Sequence, residues 1–161
     1  MTNVSVRHLD EYVFTQSLVA GSHAFYADEP EALDGDDLGP NPYELLLWAL
    51  GACTSMTLMM YARRQGWDLR DVRVHLHHER THAADCTNCD DPNARLDRIE
   101  RVIALEGNLT AEQRRTLLSI ASRCPLHRTL QNRPVVVDRL ADNLDEPHAH
   151  RRQRARAKGG G

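Results

Sequence analysis

The chain has 161 residues, 41% hydrophobic and 27% charged, a globular balance with enough length for one domain and its core. Its net charge of −3 gives no overall attraction to nucleic acid and argues against such a partner. Residues 45–62 carry no charge and reach the lower limit of a membrane span, but Gly51, Thr54, Ser55 and Thr57 dilute them. A helix inside a cytoplasmic protein, without a membrane partner, is expected.

The opening MTNVSVRHLDEYVF lacks the basic and apolar regions of a secretory signal. Residues 4–9 and 12–19 alternate as a β-hairpin would, and 23–27 suggest a third strand. The stretch 28–42 (DEPEALDGDDLGPNP) is Asp-, Gly- and Pro-rich and reads as loop. A helix is predicted from Pro42, capped by Asn41, to about Gln65, with Gly66 as its left-handed stop. Leu45, Leu46, Leu47, Trp48 and Leu50 make that helix apolar on every side, so it needs cover all round. One modest sheet cannot supply this, and a homodimer is expected. The cluster Met56, Met59, Met60 reads as core packing.

Residues 70–81 alternate, with Val72, Val74 and Leu76 on one face, and 96–106 form a second strand around the loop 82–94. Thr110 and Gln113 make a capping box for a helix to about Ser122. Cys124-Pro125 breaks the chain before a short helix near 126–131. Residues 134–139 (PVVVDR) read as a last strand. The fold class is therefore α+β, mostly antiparallel, in the order βββ-α-ββ-α-(α)-β, with one domain over 1–140. Residues 141–161 form a disordered basic tail, whose segment 151–158 carries five bases.

Four cysteines without a secretory leader suggest reduced thiols, redox chemistry or metal. Cys53 lies within the apolar helix, where a free cysteine is most often a small hydrophobe. Cys124 lies at a helix break, where free backbone N–H groups favour thiolate. His127 and Arg128 follow within a turn and either add positive charge or face solvent.

The run GPNPYELLLWALGACTSMT around Cys53 and the run ASRCPLHRTL around Cys124 together resemble the OsmC/Ohr family, the osmotically inducible and organic hydroperoxide resistance proteins. The resemblance spans about 4–140. It implies an intertwined homodimer in which sheets of both chains wrap two central helices. It also implies peroxidase chemistry without metal or flavin. Cys53 would be the peroxidatic thiolate and Cys124 the resolving thiol. A dithiol of the lipoyl type would recycle them, and a small apolar hydroperoxide would enter an interface pocket.

Hydroperoxide-reducing members carry a Glu ten residues before the first cysteine, paired with an N-terminal Arg. Here that position is Tyr43, and the nearby acid Glu44 falls about 180° around the helix from Cys53. Arg7 is the only arginine or lysine in residues 1–62. Arg7 supplies the guanidinium, or Arg128 substitutes, or that activation is missing. The chain also resembles an OsmC-like subgroup with a following HAADCxxC loop.

His78, His82, Cys86 and Cys89 have the spacing H-x3-H-x3-C-x2-C, and imidazole and thiolate suit zinc. If 78–82 stay extended, the two imidazoles lie about 13 Å apart, so a four-ligand site requires the strand to end near His78. The alternatives are an exposed connection with incidental thiols, or a Cys86–Cys89 redox disulfide. Three functions follow: a thiol-dependent hydroperoxide reductase, a non-catalytic ligand-binding or redox-sensing protein, and a zinc-stabilised domain.

Overall fold

The computed structural model describes residues 3–82 and 95–140. Strands β1 (Ser5–His8), β2 (Gln16–Ala20) and β3 (His23–Ala27) form an antiparallel sheet in that order, with Ser5 opposite Val19 and Leu18 opposite Phe25. β2 begins later than the alternation over 12–19 suggests. Leu9 N–H donates to Thr15 O and Tyr12 N–H to Leu9 O, both at 3.0 Å. Residues 9–15 therefore make a wide turn, and Val13 and Phe14 stay exposed.

The loop after β3 is organised by the buried Asp28. Its carboxylate accepts from Thr15 Oγ1 at 2.9 Å, Glu29 N–H at 2.8 Å and Leu38 N–H at 3.2 Å. Burial alone would raise its pKa, but Thr15 and the N–H groups of Leu38, Glu29 and Asp36 outweigh burial and lower it.

Helix α1 (Pro42–Gln65) begins where the sequence places it. Asn41 Oδ1 accepts from Glu44 N–H at 3.0 Å, and Glu44 Oε2 accepts from Asn41 N–H at 2.8 Å. This reciprocal box satisfies two orphan donors, and Pro42 at the first position has none to satisfy. Gly66 stops the helix at φ 67°, a conformation that costs glycine nothing.

Strands β4 (Asp68–His82) and β5 (Arg95–Asn108) form a two-stranded antiparallel ribbon, with Val74 opposite Ile103 and Leu76 opposite Arg101. Both run longer than expected, because each extends as far as its partner does. α1 lies against β4 so closely that a Cβ on Gly51 would stand 2.9 Å from Leu76 Cδ1. α2 (Ala111–Ala121) opens on the Thr110/Gln113 box, and α3 (Pro125–Gln131) follows Cys124. The core joins Leu58 and Ala62 of α1, Leu69 of β4, and Leu117, Ile120 and Ala121 of α2. This is a mixed α+β architecture with antiparallel sheets.

Two expectations need correction. Residues 134–139 form no strand: Val135, Val136 and Val137 are 89%, 79% and 69% exposed. β-branched residues favour a pleated, paired surface, and this segment pairs with no strand among the described residues. The helix α1, apolar enough by length and composition to cross a membrane, packs on β4, α2 and α3, but Trp48, Met56 and Met60 remain more than 60% exposed. The methionine cluster is therefore mostly surface in a single chain. Residues 83–94 and the tail 141–161 lie outside the described residues.

Candidate active site

Cys53 sits midway along α1, and Cys124 is the residue that precedes the first turn of α3, in extended backbone at φ −52° and ψ 130°. The fold carries the second thiol back to the first. The two sulfurs stand 2.7 Å apart, the Cys124 S–H donating to Cys53 Sγ, and both cysteines are free. A disulfide of about 2.04 Å needs the sulfurs to close by less than an ångström.

The two thiols differ in environment. Cys124 is fully buried and Cys53 is half-buried. For Cys124, burial opposes ionisation, but the Cys53 thiol, the backbone N–H groups of His127 and Leu126 and the Thr54 hydroxyl outweigh it and lower its pKa. For Cys53, burial and then the neighbouring Cys124 raise the pKa. Cys124 is therefore the more readily ionised sulfur, while Cys53 is the sulfur that a molecule from outside can meet. At this separation the shared proton needs only a short hop to exchange the roles.

A cation stands beside the pair. Arg101 of β5 donates from Nη1 to Thr54 Oγ1 at 2.8 Å and to Ala121 O at 3.3 Å, and its Nη2 meets His127 Nδ1 at 3.3 Å. Burial, with Arg101 adding to it, lowers the His127 pKa, so this imidazole is neutral and accepts at Nδ1. The positive charge expected of His127 comes from Arg101. Strand alternation was the signal for that residue: Ile99, Arg101, Ile103 and Leu105 take the less exposed face of β5 while their neighbours are exposed, and a charged residue in an inward series is out of pattern.

The other sequence candidates lie elsewhere. Arg7 is exposed on β1, with no ion pair among the described residues. Arg128 is exposed beside Pro125, Thr129 and Asn132. Glu44 is occupied in the α1 cap. Tyr43 stacks on His78 with ring centroids 4.5 Å apart, accepts from Arg80 Nη2 at 2.9 Å, and is about 15 Å along the helix from Cys53. His78 Nε2 meets Asp97 Oδ1 at 2.9 Å. β4 continues through His82, so His78 and His82 lie about 13 Å apart on extended backbone. Cys86 and Cys89 lie outside the described residues, and among the described residues no three His, Cys, Asp or Glu gather as a metal site.

An apolar cleft of about 600 Å³ opens beside α1, lined by Phe25, Tyr26, Leu38, Leu45, Trp48 and Ala49 among others. Ala49 is four residues before Cys53 and shares its helix face. The cleft thus follows the side of α1 that leads toward the accessible thiol.

Comparison with known proteins agrees with this architecture. The family model described as OsmC-like protein matches residues 35–138. Among solved structures, an OsmC-like protein from Mycoplasma pneumoniae superposes with a TM-score of 0.65 at 18% identity, covering 81% of this chain and 87% of that one. An organic hydroperoxide resistance protein OsmC from Legionella pneumophila gives 0.59 at 16% identity, over 81% and 89%. The organic hydroperoxide resistance protein OhrB of Bacillus subtilis gives 0.57 at 17% identity, over 83% and 92%. No curated protein sequence matches. With the family model spanning well over half of the residues, the chain belongs to the OsmC family.

Proposed function

We propose that the protein reduces small apolar organic hydroperoxides with the Cys53–Cys124 pair, as a cytoplasmic homodimer recycled by a dithiol. The observation that carries this reading is the 2.7 Å approach of two free thiols, one accessible and one buried. In the first step the proton shared by the pair passes to Cys124, and the Cys53 thiolate attacks the terminal peroxide oxygen. The O–O bond breaks, the alkoxide takes a proton and leaves as alcohol, and Cys53 becomes a sulfenic acid. The Cys124 thiolate then attacks the Cys53 sulfur, the S–O bond breaks, and hydroxide leaves as water with a second proton. The balance is two thiols and one hydroperoxide giving a disulfide, an alcohol and water. Two exchange steps with a dihydrolipoyl-type dithiol restore the thiols. No resident metal or flavin enters this sequence.

Cumene hydroperoxide consumption supported by dihydrolipoamide tests it. Cys53→Ser is expected to abolish turnover, and full activity in that variant rejects the assignment. A redox sensor is the second reading, favoured by the lack of any carboxylate bonded to the pair among the described residues; it predicts one stoichiometric oxidation of the wild type and no turnover.

The dimer rests on the apolar area that one chain leaves open: Trp48, Met56 and Met60 on α1, and Val135 to Val137 beyond α3. Exposure on this scale marks an association surface. Sedimentation should give twice the 18.2 kDa chain mass, and Trp48→Glu should shift the protein toward monomer. A monomeric wild type at high concentration would remove the dimer from the proposal.

A further inference from the structure

Arg101 raises a physical question that the cysteines alone do not answer. Its side chain is partly buried, and all three of its hydrogen-bond partners, the Thr54 hydroxyl, the Ala121 carbonyl and the His127 imidazole, are neutral. No carboxylate forms an ion pair with it among the described residues. A cation withdrawn from water without an anion is costly. The groups around it that can become anionic are Cys53 on α1 and Cys124 at the head of α3. Among the described residues the other titratable group bonded to it is His127, which is neutral, and the residue opposite Arg101 on β4 is the uncharged Leu76.

Thr54 connects the cation to the thiols. Its hydroxyl oxygen accepts from Arg101, so its single proton is free to point elsewhere, and it is directed at Leu50 O at 2.8 Å. Cys124 is the competing acceptor, and it becomes the better one on ionisation, because bonds to charged acceptors are the stronger ones. On its other side Arg101 holds His127, whose backbone N–H also favours the Cys124 anion.

We propose that Arg101 is the positioning residue of the thiol pair: it fixes the Thr54 hydroxyl beside the thiols and holds the His127 turn in place, so that the pair gives up its first proton more readily. This deepens the peroxidase reading, and only its consequence for turnover rests on that reading. Chains of donors polarise one another, which lets a cation act through an intervening hydroxyl. The assignment also answers the missing pairing of Glu with an N-terminal Arg, since the guanidinium arrives from β5 instead.

The test is the pH dependence of thiolate absorbance in the full chain carrying Cys86→Ser and Cys89→Ser, so that the pair alone is read. Arg101→Met is expected to raise the first thiolate midpoint by about one pH unit, a roughly tenfold loss of thiolate below it. Arg101→Lys keeps the charge but loses the fork and should fall between. Thr54→Val, equal in shape and lacking the hydroxyl, should move the midpoint in the same direction. It decides the matter if Arg101→Met does not fold. The double variant should shift no further than the larger single one, since both interrupt one path. An unmoved midpoint in the folded single variants, or fully additive shifts, overturns the proposal. Cumene hydroperoxide turnover separates the two readings. A shifted midpoint in a protein that never turns over hydroperoxide removes the peroxidase and keeps Arg101. An unmoved midpoint beside active wild type does the reverse.

Discussion

Arg80 of β4 and Arg101 of β5 both reach from the ribbon to α1, eleven residues apart on the helix. Arg80 donates to the Tyr43 hydroxyl at 2.9 Å and Arg101 to the Thr54 hydroxyl at 2.8 Å. The two ties are alike in form and differ in their charge. Arg80 is exposed, stands over the Tyr43 ring, and has Asp97 at 3.5 Å, itself bonded to His78. Asp97 answers the Arg80 cation, and its pKa is lowered, first by the His78 bond. That end of the helix is electrically closed. Arg101 is half-buried, has no carboxylate partner among the described residues, and bonds to Thr54, the neighbour of Cys53 in the chain. An unanswered charge beside nucleophiles is what chemistry requires, and an answered one in water contributes little beyond local order.

The largest effect that can break this comparison is on turnover. Cys53→Ser is expected to remove hydroperoxide reduction altogether, while Tyr43→Phe leaves it unchanged. Equal losses in the two variants would mean that the N-terminal end of α1 takes part in the reaction. Stability comes next. Leu58, one turn beyond Thr54, is fully buried in the core, so Leu58→Ala should cost about 2–5 kcal/mol in denaturant unfolding. A cost below about 1 kcal/mol would mean that the thiol half of the helix is not the packed half.

Some of this was legible in the residues and some was not, for physical reasons. The ends of α1 followed from local chemistry: the Asn41/Glu44 box and the left-handed Gly66 are decided within a few residues of themselves. The same box explains Glu44, whose carboxylate is spent on the Asn41 N–H rather than on the thiols. Strand extent is not local. β4 and β5 lengthened because each found the other, and 134–139 failed as a strand because its valines meet no pairing edge among the described residues. The meeting of Cys53 and Cys124 is a contact across 71 positions, which no periodicity reports; the paired motifs pointed to it only through family resemblance. Arg101 was the reverse case. Its place in an inward-facing alternation was readable, but the reason for a charge there appears only once the fold brings Thr54, His127 and the thiols around it.

The smallest effect sharpens the contrast further. Tyr43→Phe deletes the acceptor of Arg80 while keeping the ring that stacks on His78. Arg80 retains Asp97 and water, since both are exposed, so nothing is left buried without a partner. The thermal midpoint should move by no more than about 2 °C, as for most exposed substitutions, and the thiolate titration should not move at all. The matching change at the other arginine tie, Thr54→Val, removes a hydroxyl that is fully buried. There the Arg101 N–H loses an acceptor it cannot replace from solvent. If Tyr43→Phe shifted the thiolate midpoint as Thr54→Val is expected to, the closed end of the helix would be coupled to the thiols through α1, and the electrical separation of its two arginine ties would fail.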